Sequence, residues 1–280
     1  MAALVLSGCG KREAALDPVA AIESGWNEYR LGEFDRAVMR FQAAADRAEA
    51  GSDTYLQAMF GLAATWSLRL PAQDQDRAKA EELYAKILEL NPKSEVAPWA
   101  DLALARLKHL VPVGEEADYN VVRPAYQHII DAYPGHLVAR EAFIYLMATK
   151  VATLQSNDLR EAIGQLEAFV AQTNDRSFFS PAYSLLAVSH QQLGEQQERL
   201  DVEITSLDAT EVDPENPYNE FAWQYWNIAT IAEFELGDFK TARTYYQKLL
   251  DQYPRDRRVY GVKQALKRMD EMEAKLRAAQ

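Results

Sequence analysis

The residue types that usually perform chemistry are few and scattered in this sequence. The chain of 280 residues contains one cysteine and four histidines, and no histidine is followed by another four residues later. A single cysteine can form neither an intrachain disulfide nor a zinc site built on several cysteines. The HExxH, GxGxxG, P-loop and GxSxG motifs do not occur in the sequence. We therefore predict no catalytic residues, no metal and no cofactor, and we expect that the protein is not an enzyme.

The charge balance excludes one class of partner. Lys and Arg number 30 and Asp and Glu number 42, which gives a net charge of −12. Sequence-independent nucleic-acid binding needs a basic surface that replaces phosphate counterions, so nucleic acid is not expected as a partner. The acidic cluster Glu115, Glu116 and Asp118 lacks EF-hand spacing, which favours solvated turn residues over a weak calcium site. With 48% hydrophobic residues the chain can still bury a core.

The cysteine is the one residue with a suggestive context. Leu6-Ser7-Gly8-Cys9 resembles the lipobox of bacterial lipoproteins, in which the cysteine carries the lipid anchor. The resemblance predicts lipidation of Cys9 and a protein held at the outer membrane, facing the periplasm. A signal peptide also has a basic start and about 7–15 apolar residues, whereas here no Lys or Arg precedes Cys9. The alternative is a chance match at a frayed terminus.

The elements that must position any site are helices, because apolar residues recur at helical spacing along most of the chain. Residues at offsets of 0, 4 and 7 share one face of a helix, and five such ladders can be recognised. A sixth is expected from Arg199 if the spacing of the repeat is kept. The aromatic residue at offset 4 of a ladder is predicted to be buried. The five ladders are Ala37-Phe41-Ala44, Ala80-Tyr84-Ile87, Val122-Tyr126-Ile129, Ala162-Leu166-Phe169 and Ala242-Tyr246-Leu249.

The ladders and their flanking turns resemble the tetratricopeptide repeat (TPR), a pair of antiparallel helices. The clearest unit has Trp226 in its first helix, Leu236-Gly237-Asp238-Phe239 in its turn and Pro254 after its second helix. Leu31-Gly32-Glu33-Phe34 repeats that turn. The ladder steps of 37–43 residues exceed the usual 34. Junctions such as Tyr133-Pro134-Gly135 are similar in style to periplasmic TPR lipoproteins of the BamD and Tol-Pal-associated kinds.

The predicted fold is an all-α, TPR-like, right-handed superhelical solenoid of about six helix pairs with a C-terminal capping helix. The expected parts are a lipobox and tether (1–17), the repeat domain (18–255) and a charged C-terminal helix (256–280). The C-terminal helix is expected to pack through Val259, Val262, Leu266 and Met269, and the alternative is a helix that docks a partner. Trp226 is expected in the core. Glu233, on a first helix, is expected in solvent or facing the groove.

In the TPR family the first helix of each pair lines a concave groove, and this resemblance implies the site. The protein is then a lipid-anchored adaptor of the bacterial cell envelope that binds a peptide or protein partner. The Lys/Asn/Arg clamp of chaperone-binding repeats is not reproduced. The alternative is a small-molecule or glycan-binding lipoprotein of a transport system, with stacking by Trp26, Trp66 and Trp223. The predicted groove residues are Trp26, Tyr29, Arg30, Thr65, Trp66, Lys108, Gln191, Gln192, Asn227 and Phe234.

Overall fold

The computed structural model describes residues 17–69, 76–173, 175–210 and 221–278. Within those ranges 80% of the residues are helical, and they form thirteen α-helices and no strand. The predicted all-α fold of six helix pairs and a C-terminal helix is therefore confirmed. The lipobox with Cys9 lies outside the described residues.

The helices occupy most of the described part of the chain. A 3₁₀ turn at Arg176–Phe178 precedes α9, and a π-helical segment at Ile231–Leu236 continues α11. The helices are α1 Pro18–Arg30, α2 Phe34–Ala45, α3 Asp53–Leu68, α4 Asp76–Leu90, α5 Ala97–His109, α6 Tyr119–Ala132, α7 Leu137–Val151, α8 Ser156–Gln172, α9 Phe179–Leu193, α10 Gln196–Ala209, α11 Ala222–Thr230, α12 Phe239–Gln252 and α13 Val259–Ala278.

The chain divides into two compact units, 1–142 and 143–280. In the first unit α1 packs on α2 and α3, and each further helix up to α6 packs on the one before it. In the second unit α8 packs on α9, α9 on α10, α11 on α12, and α12 on α13. Each unit is therefore built from helix pairs, and α7 lies across the boundary between the two.

Local signals explain where the helices begin and end. The side chain of Asp17 accepts hydrogen bonds from the Val19 and Ala20 amides at the start of α1, and Pro18 occupies the first helical position. Such capping satisfies backbone donors that the helix leaves without partners. The turn after α9 contains Gly194 at φ 76°, and the turn before α12 contains Gly237 at φ 67°. Glycine adopts this left-handed conformation without strain, so the Leu-Gly-acid motif ends the first helix of a pair.

The ladder residues form the core, as the spacing predicts. Phe41, Tyr126 and Tyr246 are completely buried, and Tyr84 is 3% exposed. Phe41 contacts Trp26 on α1 and lies against Gly61 on α3. Tyr246 contacts Trp226 on α11. Burying an aromatic side chain of this size removes about 150–250 Å² from water, so these positions contribute much of each unit's stability.

The predicted ladder in α10 is wrong by one residue. Arg199 was expected at its first position, but Leu200 is the buried residue, 2% exposed. Ile204 and Leu207 follow at the same offsets of 4 and 7, and they pack on the core of the last helix pair. The repeat therefore continues through α10 with a step of 38 residues from Ala162.

The helix α13 packs on the last pair through Val262, Ala265 and Met269, each at most 1% exposed. Trp226 is half-buried, and its ring meets the Tyr246 ring edge-on at 5.7 Å. The apolar stripe of α13 thus packs on the core of the last pair, and Trp226 packs against the same core while remaining partly exposed.

Candidate binding cleft in the first unit

A cleft of about 420 Å³ opens on the first unit. Its walls come mainly from α1, α3 and α5, which are the first helices of three successive pairs, with contributions from α4 and one residue of α7. Because the second helices use their apolar faces for the ladders, the first helices are left to line this surface. The lining residues are Trp26, Tyr29, Phe60, Ala64, Ser67, Leu68, Arg77, Tyr84, Trp99, Leu102, Ala103, Arg106, Leu107, Leu110 and Glu141.

Aromatic rings form one wall of the cleft. The Trp26 ring meets the Tyr29 ring edge-on at 5.4 Å and the Phe41 ring at 5.0 Å, and it lies 6.3 Å from the Phe60 ring. Phe60 in turn lies 5.6 Å from the Tyr84 ring. These contacts hold half-buried rings in fixed orientations, so the wall is rigid before any ligand arrives.

Two glycines allow this wall to form. An added β-carbon would lie 2.8 Å from Phe41 at Gly25 on α1, and 2.3 Å from Phe41 at Gly61 on α3. Atoms do not approach so closely, so any larger residue there would displace the Phe41 ring or separate the helices. The buried Phe41 therefore sets the distance between α1 and α3, and with it the placing of Trp26 beside Phe60.

The charged residues of the lining are two arginines and one glutamate. Arg106 on α5 lies 4.0 Å from Glu141, and their side chains are 42% and 30% exposed. Arg77 on α4 donates a hydrogen bond of 2.9 Å to the carbonyl of Leu110, at the end of α5. The cation at that helix C-terminus is favourably placed for the helix dipole.

Burial and the charge of Arg106 both affect the pKa values of the two tyrosines in the cleft. Burial raises the pKa of Tyr84 to about 12, although a hydrogen bond with Ser67 and the charge of Arg106 act to lower it. Burial likewise raises the pKa of Tyr29, and the charge of Arg106 again opposes the shift. Both tyrosines are therefore neutral hydrogen-bonding groups at neutral pH, under the positive field of one arginine.

The predicted groove residues of the first unit are only partly brought together. Trp26 and Tyr29 line the cleft. Arg30 is exposed beside them and donates a hydrogen bond to Asn27. Lys108 is exposed on α5, outside the lining.

The two predictions on α3 need correction. Thr65 is completely buried, and its hydroxyl donates to the Gly61 carbonyl at 2.7 Å, so it serves helix packing and no groove. Trp66 is not among the residues that line the cleft, and Lys79 at 4.2 Å and Arg69 at 5.2 Å lie over its ring. The cleft face of α3 is carried by Phe60, Ala64, Ser67 and Leu68.

The predicted groove residues of the second unit occupy surface positions. Gln191 and Gln192 are exposed at the end of α9. Asn227 on α11 is half-buried and hydrogen-bonds the carboxylate of Glu203. Phe234 is 63% exposed, and the Arg268 guanidinium lies 5.0 Å from its ring centre.

Glu233 was expected in solvent or in the groove, and this prediction is wrong. Its side chain is 3% exposed, and the Tyr246 hydroxyl donates to it at 2.8 Å. Arg268 on α13 donates to the other carboxylate oxygen from Nε at 2.9 Å. The π-helical turn at Ile231–Leu236 changes the helical phase, so sequence spacing places Glu233 on the wrong face.

Sequence reasoning missed Phe60, Trp99, Arg106 and Glu141. A signal was present on α5, where the cleft residues 99, 102, 103, 106, 107 and 110 recur at steps of three and four. Placing the family's groove positions on this chain instead selected Lys108, because the repeats here are longer than those of the family and the phase shifts. On α5, helical periodicity counted from Trp99 would have identified the cleft face.

The described parts of the chain show neither a membrane-spanning helix nor a metal centre. No helix there is both long and apolar enough to cross a bilayer. No group of three or more potential ligands for a metal ion is found among the same residues.

The comparisons with known proteins agree with this architecture. Residues 225–256 match the family profile of the tetratricopeptide repeat. No curated protein matches the chain. One similar solved structure is the assembly chaperone of RpL4 (Acl4, residues 1–338), with a TM-score of 0.51 and 13% identity over 93% of this chain and 99% of that one.

A second similar structure is that of the APC/C hetero-tetramer Cut9–Hcn1. Its TM-score is 0.51 at 14% identity, and the match covers 90% of this chain and 43% of that one. At such identities the likeness shows the fold alone. Residues 225–256 therefore resemble one tetratricopeptide repeat, and the described part of the chain has an all-α, TPR-like arrangement of helix pairs.

Proposed function

We propose that the protein is a protein–protein interaction adaptor that binds a peptide segment of its partner in the cleft of the first unit. The observation that carries the proposal is the cleft itself, lined by the first helices of three successive pairs. Half-buried Trp26, Tyr29 and Trp99 line it, and such aromatic residues most often supply binding energy at interfaces. TPR-type repeats typically present this surface to peptides.

Affinity capture with matched variants tests the adaptor. Trp99→Ala removes an aromatic from the cleft, and Tyr260→Ala removes one that is 75% exposed on α13. Proteins captured by the wild type and by Tyr260→Ala, but lost with Trp99→Ala, are cleft partners. We expect Trp99→Ala to weaken capture by about 2 kcal/mol or more. A captured set that is identical for all three proteins, with melting temperatures unchanged, would show that the cleft binds no protein.

We further propose that the adaptor is anchored at the outer membrane, facing the periplasm, by a lipid on Cys9. The support is the four-residue pattern Leu6-Ser7-Gly8-Cys9 in the sequence. One acyl chain binds a membrane weakly, whereas two or three bind it stably. Expressed from its gene in a bacterial host, the protein should incorporate labelled fatty acid and sediment with membranes. A Cys9→Ala variant that still does both would contradict the anchor.

A small ligand is the second candidate occupant of the cleft. Its volume of about 420 Å³ falls within the roughly 300–1,000 Å³ typical of small-molecule sites. Of the three tryptophans expected to stack on such a ligand, the cleft contains Trp26, whereas Trp66 is not in its lining and Trp223 belongs to the second unit. A thermal-shift screen of metabolites and glycans, run on the wild type and Trp99→Ala, distinguishes this candidate from the adaptor.

A further inference from the structure

The charges of the cleft differ in sign from those of the whole protein. Two cationic residues, Arg77 and Arg106, and one anionic residue, Glu141, line the cleft. The whole chain has a net charge of −12. The described surface of the cleft is thus a small apolar and cationic site on an acidic molecule, and this contrast bears on what can bind there.

The two arginines are held in different ways. Arg77 donates to the Leu110 carbonyl at 2.9 Å, which fixes it at the end of α5. Arg106 lies 4.0 Å from Glu141, at the outer limit of an ion pair, and both side chains are partly open to water. A partly exposed pair at such a distance contributes little to stability, so a carboxylate of the ligand can compete with Glu141 for Arg106.

The positive field of Arg106 reaches into the cleft. It opposes the upward shift of the pKa at Tyr29 on α1 and at Tyr84 on α4. Arg106, Tyr29 and Tyr84 all line this one cleft. A ligand group within that space meets the guanidinium while its apolar neighbours meet Trp26, Phe60 and Trp99.

We infer that the partner segment bound in the cleft carries an acidic side chain beside one or more apolar anchor residues, with its carboxylate paired to Arg106. This inference rests on the proposed function. The size of the cleft suits a few side chains and no large surface. An extended acidic surface would be repelled by the rest of the protein, whereas a short segment presents its charge within a Debye length of Arg106, about 8–10 Å.

Because Arg106 and Glu141 have opposite charges, neutralising each of them should change peptide affinity in opposite directions. Arg106→Gln removes the cation that attracts the carboxylate and should weaken binding. Glu141→Gln removes the competing anion and should strengthen it. Lys108→Gln is the matched control, because Lys108 loses the same charge on the same helix but lies outside the lining. A purely structural role for the Arg106–Glu141 pair would make both cleft variants change in the same direction.

A random twelve-residue peptide library displayed on phage supplies the probe. Peptides selected on the wild type are resynthesised with each Asp or Glu replaced by Asn or Gln, and dissociation constants are measured for every variant. We expect about a two- to fivefold weaker wild-type affinity for the neutral peptide, the range of one exposed ion pair. The difference should disappear in Arg106→Gln and shrink at about 1 M salt, where the Debye length is about 3 Å.

The outcomes separate the two proposals. Selected peptides that depend on Trp99 but lack an acidic residue, or that bind Arg106→Gln as well as the wild type, overturn the acidic specificity and leave the adaptor intact. Peptides that bind Trp99→Ala and the wild type equally overturn the cleft as the site. Circular dichroism and a thermal melt on each variant confirm that the fold is kept.

Discussion

Glu233 shows how much a single charged residue contributes to the last helix pair. Its buried carboxylate accepts hydrogen bonds from Tyr246 and Arg268, which belong to α12 and α13. A buried charge is tolerated only when such partners compensate for its lost hydration. The same contacts attach α13 to the repeat, and the Arg268 guanidinium also lies over the ring of Phe234.

The first prediction concerns this carboxylate. Arg268→Met leaves Glu233 buried without its cation and should lower the free energy of unfolding by about 2–4 kcal/mol, below the fully buried case because Arg268 is partly exposed. Lys267→Met removes a neighbouring exposed charge and should change it by less than about 0.5 kcal/mol. Urea denaturation of both variants measures the difference. Equal midpoints would show that Glu233 is compensated by Tyr246 alone.

The second residue-scale prediction is the pH dependence that Tyr84 gives to stability. Its pKa is about 12 in the folded chain, against 10.0 for an unperturbed tyrosine. Because the Tyr84 phenol ionises less readily in the folded chain than in the unfolded chain, its contribution to stability is fully present below pH 10. That contribution is lost as the pH rises towards 12. Over that window Tyr84→Phe should lose about 2 kcal/mol less stability than the wild type, at 1.36 kcal/mol for each pKa unit.

Urea midpoints at pH 9 and pH 11.5 measure this slope. Tyr260→Phe is the control, because the Tyr260 side chain is 75% exposed, whereas that of Tyr84 is buried. A slope that is the same for Tyr84→Phe and the control would mean that the Tyr84 phenol ionises in the folded protein as readily as in water. The lost hydrogen bond to Ser67 affects both pH values equally and does not alter the slope.

At the scale of elements, the glycines control how closely helices approach. An added β-carbon at Gly61 would meet Phe41 at 2.3 Å, whereas at Gly164 on α8 nothing lies within 4 Å. Gly61→Ala should therefore destabilise the protein by about 1–3 kcal/mol through overpacking. Gly164→Ala should stabilise it by about 0.5–1 kcal/mol, because alanine is the better helix former.

The Gly61→Ala variant should also disturb the cleft. If α3 moves away from α1, Trp26 loses its contact with Phe60, and the affinity for any peptide bound in the cleft falls together with stability. Thermal melts and peptide titrations of Gly61→Ala and Gly164→Ala check both effects. A Gly61→Ala protein as stable as the wild type would show that Phe41 does not set the helix spacing.

At the scale of the whole molecule, each unit has its own buried ladders. Arrays of helix pairs derive stability mainly from neighbouring elements, so damage in one pair is felt locally. Phe41→Ala should cost about 3–5 kcal/mol and increase amide exchange chiefly in α1–α4. Tyr246→Ala should increase it chiefly in α11–α13. Hydrogen-exchange mass spectrometry on both variants measures this, and a uniform increase over all helices would indicate a single cooperative unit.

The sequence by itself determined the class of fold and most of the core. Offsets of 4 and 7 identified Phe41, Tyr84, Tyr126 and Tyr246 as buried, and the Leu-Gly-acid turns marked the ends of first helices. These signals are local, because a helix repeats every 3.6 residues and a glycine turn is fixed by its own backbone. They hold whatever the rest of the chain does.

The tertiary structure decided which residues form the cleft and which charges are buried. The phase of a first helix depends on how the preceding connection positions it, so Thr65 became buried while Phe60 and Arg106 reached the surface of the cleft. Glu233 is buried because a π-helical turn rotates it towards Arg268, which lies 35 residues away along the chain. Such pairings join residues from separate helices, and packing between those helices, which no local spacing encodes, brings them together.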